Sequence, residues 1–64
     1  MRVNGDEIKI DGQITIKALL KREGYPVDRV AVEKNGVIIP KTAFDTEFAA
    51  DADRVEIVAF IGGG

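Results

Sequence analysis

Arg54-Val55-Glu56-Ile57-Val58-Ala59-Phe60-Ile61-Gly62-Gly63-Gly64, the last eleven residues of a 64-residue chain, read as a strand that runs into glycine and stops. Val55, Ile57, Ala59 and Ile61 fall on one side of an extended backbone. Arg54, Glu56, Val58 and Phe60 fall on the other, which is the period-two alternation of a half-buried strand. Three consecutive glycines bury nothing and lose more backbone entropy on ordering than any other residue, so they add nothing to a core. Their expected product is a terminal carboxylate on a thin, flexible stem. At full extension that stem carries the carboxylate about 10 Å beyond the last packed side chain, narrow enough to thread a channel in another protein. The competing reading is a frayed end without a role.

Composition limits the rest. A single domain of this size buries about 60% of the surface its unfolded chain exposes, which leaves room for one core and for no deep catalytic pocket. Hydrophobic residues at 45% and charged residues at 31% describe a folded domain. Nine Lys and Arg stand against eleven Asp and Glu, so the chain has no basic face for phosphate contacts and nucleic acid is not an expected partner. There is no Cys and no His. Disulfides, thiolate or imidazole nucleophiles, and zinc sites are thereby removed, and no metal site is expected. Asp51 and Asp53 stand two apart but lack the ligand spacing of a calcium loop. No apolar run approaches a membrane span and Met1-Arg2-Val3-Asn4 is not a signal peptide, so a cytoplasmic address is expected.

Asn4-Gly5 predicts a tight turn between a short first strand and a segment in which Ile8 and Ile10 alternate with Glu7 and Lys9. Gly12-Gln13 breaks that pattern. Thr15 offers an N-cap hydroxyl to a helix over Ile16 to Glu23, whose Ile16, Leu19 and Leu20 form one apolar stripe. Gly24 supplies a left-handed C-terminal residue and Pro26 prevents continuation. Val30 to Lys34 and Val37 to Ile39 flank a second tight turn, Asn35-Gly36, and predict a second hairpin that Pro40 ends. The segment from Thr42 to Phe48 has no clean period, and Phe44 and Phe48 are expected to plug an end of the core. Ala49 to Asp53 reads as a polar turn.

The order is strand, strand, helix, strand, strand, irregular connection, strand. One helix and one sheet each bury an apolar face only against the other, giving a two-layer α+β domain whose first and last strands can be neighbours. If they pair in parallel, the long segment between them is a crossover whose right-handedness fixes the face that the helix covers.

In that order, Val3-Asn4-Gly5, Ala18-Leu19-Leu20, the run from Val30 to Gly36, the segment from Asp53 to Ile57 and above all the ending from Phe60 to Gly64 resemble the ThiS family, the sulfur carriers of thiamin biosynthesis. The resemblance spans the whole chain and differs from the family's shortest ending, Gly-Gly, by a third glycine. It implies the ubiquitin-like β-grasp fold: a mixed sheet of four to five strands on one helix, residues 1–61 as the domain and 62–64 as a flexible tail. It implies a protein that is acted upon and binds no cofactor. An ATP-using adenylating enzyme of the ThiF type would activate the Gly64 carboxylate, and sulfur would replace one oxygen to give a thiocarboxylate. The carrier would then serve a ThiG-like thiazole synthase, with Gly62 and Gly63 as the stem.

Val58 and Phe60, two large apolar groups on the solvated face of the last strand, are expected to dock the partner together with Ile61 beside the tail. The free chain is expected to be a monomer. Other readings of the same features are a carrier for another pathway, like the small subunit of molybdopterin synthase, a ubiquitin-like modifier, and a non-covalent interaction module.

Overall fold

The computed structural model describes residues 1–60. Strands β1 (Arg2–Val3) and β2 (Asp6–Glu7) pair antiparallel around Asn4-Gly5, whose φ values of 50° and 87° are those of a two-residue hairpin turn. The alternation expected beyond the turn holds in burial, with Ile8 half-buried and Ile10 buried, although only Asp6 and Glu7 join the ladder.

A third strand, β3 (Gln13–Thr15), leads into helix α1 (Ile16–Arg22). Thr15 caps the helix through Oγ1, which accepts from the Ala18 N–H at 3.1 Å. At the far end the Tyr25 N–H donates to the Leu20 carbonyl at 2.8 Å and the Gly24 N–H to that of Lys21 at 3.2 Å. Gly24 has a φ of 82°, and the two bonds close a Schellman cap that a side chain with Cβ would strain. Ile16, Leu19 and Leu20 are fully buried.

Strands β4 (Val30–Lys34) and β5 (Val37–Ile39) form the second hairpin around Asn35-Gly36, and β6 (Phe48–Ala50) and β7 (Arg54–Ala59) follow as the last elements of the described residues. The main sheet has the order β2-β1-β7-β4-β5. The final strand is thus central, parallel to β1 and antiparallel to β4. Val3, Val30, Val32, Ile39, Val55 and Ile57 point from the sheet into the core that α1 covers, with Met1 and Phe44 filling its margins. This is the β-grasp arrangement. No helix among the described residues is long and apolar enough to cross a membrane.

Two expectations need correction. Phe44 is buried, but Phe48 is 48% exposed and plugs nothing. The cause is a second, two-stranded sheet in which β3 and β6 pair antiparallel, Thr15 opposite Phe48 and Ile14 opposite Ala49. Period two along β6 turns Ala49 inward, and Phe48 therefore faces out. Ala49 and Ala50 are strand, so the polar turn is shorter than the sequence implied. The connection before β6 also earns its place in the fold. Its carbonyls at Phe44 and Glu47 accept from the Lys17 and Ile16 N–H groups at 2.9 and 3.0 Å, satisfying donors that the first helical turn leaves open.

Candidate functional site

The site is built on β7, and three separate elements fix its backbone. At its start, Asn35 Oδ1 accepts from the Arg54 N–H at 2.9 Å while the Asn35 N–H donates to the Arg54 carbonyl at 2.8 Å. In the middle, β1 has already ended, and the Asn4 side chain stands in for it. Asn4 Oδ1 accepts from the Ile57 N–H at 2.6 Å and Nδ2 donates to the Ile57 carbonyl at 3.0 Å. At the end, the Phe60 N–H donates to the Arg29 carbonyl at 2.7 Å, one residue beyond the β4 ladder. The two asparagines that shape the tight turns are thus also the clamps of the strand that approaches the C-terminus.

Clamping orients the outer face. Val55 and Ile57 are buried, so Arg54, Glu56, Val58 and Phe60 point away from the helix. Val58 is 60% and Phe60 57% exposed. Across the ladder, Val58 is in register with the exposed Ala31, and the neighbouring row places Glu56 opposite Glu33 and Glu33 opposite Ile38. Ile38 is 71% exposed. The outer face therefore carries apolar groups from β5 and β7 around two glutamates in register across the ladder. Like charges directly opposite on one face of a sheet weaken its pairing.

Ile38 and the Glu33–Glu56 pair were not singled out from sequence. The signal was present, because extending the Asn35-Gly36 turn by strict pairing places Ile38 beside Glu33. The register between β4 and β7, by contrast, joins segments remote in sequence. Ile61, Gly62, Gly63 and Gly64, expected to complete the docking surface and the sulfur-bearing tail, lie outside the described residues.

Asp51 and Asp53 are engaged elsewhere. Asp51 Oδ1 lies 2.9 Å from the Met1 amino group and accepts from the Ile10 N–H at 3.4 Å. The amino group, first, and that backbone bond hold its carboxyl below the usual value. Asp53 accepts from Asn35 Nδ2 at 2.9 Å and from the Ala50 N–H at 2.8 Å, which lower its value in the same way. Among the described residues, no three His, Cys, Asp or Glu gather into a group that could hold a metal ion.

Three comparisons bear on what such a face serves. The sequence profile of the ThiS family matches residues 1–64. A crystal structure of the thiamine biosynthesis protein ThiS from Geobacter metallireducens superposes with a TM-score of 0.81 at 35% identity, covering 98% of this chain and 96% of that one. A thiazole synthase from Paramagnetospirillum magneticum is 44% identical over 62 residues, which is 97% of this chain but 19% of that protein. The chain thus spans about a fifth of the length of that relative. A protein of Pyropia yezoensis known only as ycf40 is 31% identical over 64 residues, 90% of its own length.

Proposed function

Because the chain belongs to the ThiS family of sulfur carriers in thiamine biosynthesis, we propose that it carries sulfur as a thiocarboxylate at Gly64. The observation that carries this reading is the family match itself, which runs through the glycine ending to residue 64. The chemistry agrees with it. With no Cys in the sequence, sulfur can be held covalently only by converting another group, and the C-terminal carboxylate is the one on a narrow stem.

A carboxylate is a poor electrophile. A ThiF-like adenylating enzyme would join a Gly64 carboxylate oxygen to the α-phosphorus of ATP and release pyrophosphate. A sulfur nucleophile would then attack the carbonyl carbon and expel AMP, leaving sulfur in place of one oxygen. Gly62 and Gly63 would serve as the stem that reaches both active sites. On this reading the chain acts as the substrate of its partner, which would supply the catalytic groups for these steps.

The acceptor would be a ThiG-like thiazole synthase. A segment similar to this chain within a protein named thiazole synthase supports that pairing. Docking would use Val58, Phe60 and Ile61, with Ile38 extending the apolar surface and Glu33 and Glu56 meeting a basic group of the partner.

The test is the intact mass of the protein after incubation with ATP, sulfide and the activating enzyme, beside a chain lacking Gly63 and Gly64. A mass gain equal to one oxygen replaced by one sulfur, confined to the full chain, is expected. No gain with an enzyme active on another carrier would overturn the proposal.

A further inference from the structure

We propose that Asn35 is a site of spontaneous deamidation whose reactivity is gated by the seating of β7. Asn35 and Asn4 are each followed by glycine. In that pairing nothing hinders the glycine nitrogen from attacking the asparagine carboxamide carbon, because glycine has no Cβ. The nitrogen bonds to that carbon, the bond to Nδ2 breaks and ammonia leaves, giving a succinimide. Water then opens either carbonyl to leave aspartate or isoaspartate, so the step needs no other reactant.

In the folded chain both carboxamides are held against β7. Asn35 Oδ1 accepts from the Arg54 N–H at 2.9 Å and Nδ2 donates to Asp53 Oδ1 at 2.9 Å. Asn4 is held by both the N–H and the carbonyl of Ile57, at 2.6 and 3.0 Å, with Nδ2 also donating to the Tyr25 hydroxyl at 3.0 Å. Attack requires the carboxamide to leave these partners and turn toward its own glycine. The two clamps differ in exposure. Both Asn35 bonds are exposed to solvent, whereas the Ile57 bonds of Asn4 are partly buried. Water competes for the exposed bonds, so the Asn35 clamp opens more often and its glycine attacks first.

The consequence falls on β7. Aspartate at position 35 sets a second carboxylate where Nδ2 had donated to Asp53 and replaces attraction with repulsion at hydrogen-bond distance, whereas isoaspartate runs the backbone through the former side-chain carbon, so that either product loses the Nδ2 donor. The start of the final strand is loosened, and the lesion marks chains in which that strand has opened.

Peptide mapping by mass, with isoaspartate detection, during incubation in mildly alkaline buffer tests this. In urea both sites are expected to deamidate at similar rates. In the native chain both slow, and Asn35 reacts about tenfold faster than Asn4. Asp53→Ala, which removes one partner of Asn35, is expected to accelerate Asn35 without changing Asn4. Native rates equal to those in urea, Asn4 as fast as Asn35 in the native chain, or a folded Asp53→Ala chain with unchanged Asn35 chemistry would each overturn the proposal. The wild-type comparison decides alone if Asp53→Ala fails to fold.

Discussion

The Asn4 carboxamide is bonded to both backbone groups of Ile57, accepting at 2.6 Å and donating at 3.0 Å. It extends the parallel pairing of β1 with β7 by one position, using a side chain from the turn that ends β1. A residue fifty-three positions earlier in the chain thus helps set where the final strand lies.

Asn4→Ala is expected to destabilise the fold by about 2–4 kcal/mol. Two partly buried backbone groups lose their partner at about 1–3 kcal/mol, and alanine resists the φ of 50° at about 1 kcal/mol more. Asn4→Gly relieves only the backbone part and should be intermediate. Urea unfolding of the three chains checks the order, and a change below about 0.5 kcal/mol for Asn4→Ala would remove the clamp from the account.

Phe60→Ala separates docking from folding. The side chain is exposed, so unfolding midpoints should shift by less than about 0.5 kcal/mol. Affinity for the activating enzyme is expected to fall about tenfold or more, as for an aromatic anchor at an interface. Titration calorimetry beside a urea melt reads both, and unchanged affinity would exclude Phe60 from the interface.

The Glu33–Glu56 pair makes opposite predictions for the free and bound chain. Glu33→Gln is expected to stabilise the isolated protein by about 0.2–1 kcal/mol by relieving the like-charge contact. Association with a basic partner should slow at the same time, and its salt dependence should weaken. Stopped-flow binding at two ionic strengths measures this, and an association rate that is unchanged or faster would reject a basic partner face.

Leu20→Ala tests the core. The side chain is fully buried beneath the sheet, and its truncation is expected to cost about 2–5 kcal/mol. For a domain of this size, holding roughly 3–10 kcal/mol in total, that removes a large share of the stability and lowers the melting midpoint. Far-ultraviolet circular dichroism should show the loss, and a cooperative melt at the wild-type midpoint would contradict the core assignment.

Acid should destabilise the fold through Asp51 and Asp53. Both carboxyls lie below their ordinary value of 3.8 in the folded chain, so folding favours their charged forms. Their contribution is complete above about pH 5, where both groups are ionised even when unfolded, and is lost as pH falls through the lower folded values. The thermal midpoint is expected to drop on that acid side. Asp51→Asn combined with Asp53→Asn should flatten the drop, and an unchanged acid slope would refute the assignment.

Local order explains how much of the fold is legible. The helix announces itself through Thr15, the Ile16, Leu19 and Leu20 stripe and Gly24, and the structure keeps all of them in the expected roles. Both Asn-Gly turns adopt the positive φ values that those dipeptides favour, so both hairpins are visible from residues only a few positions apart. The β3–β6 pairing is not visible in this way. Gln13 to Thr15 and Phe48 to Ala50 are three residues each, too short for a period, and each becomes a strand only because the other lies beside it. Phe48 was misplaced for that reason.

The candidate site divides similarly. The outward positions of Val58 and Phe60 follow from period two along β7, a property of neighbouring residues that sequence alone carries. The resemblance to the family rests on short motifs in a fixed order and on the glycine ending, which the sequence also carries by itself. Tertiary structure alone decides that β7 is the central strand, that Glu33 faces Glu56 across it, and that the two turn asparagines clamp its backbone. Those relations join segments separated by tens of residues. They depend on register and on which backbone groups are left without a ladder partner, and both exist only once the sheet has assembled.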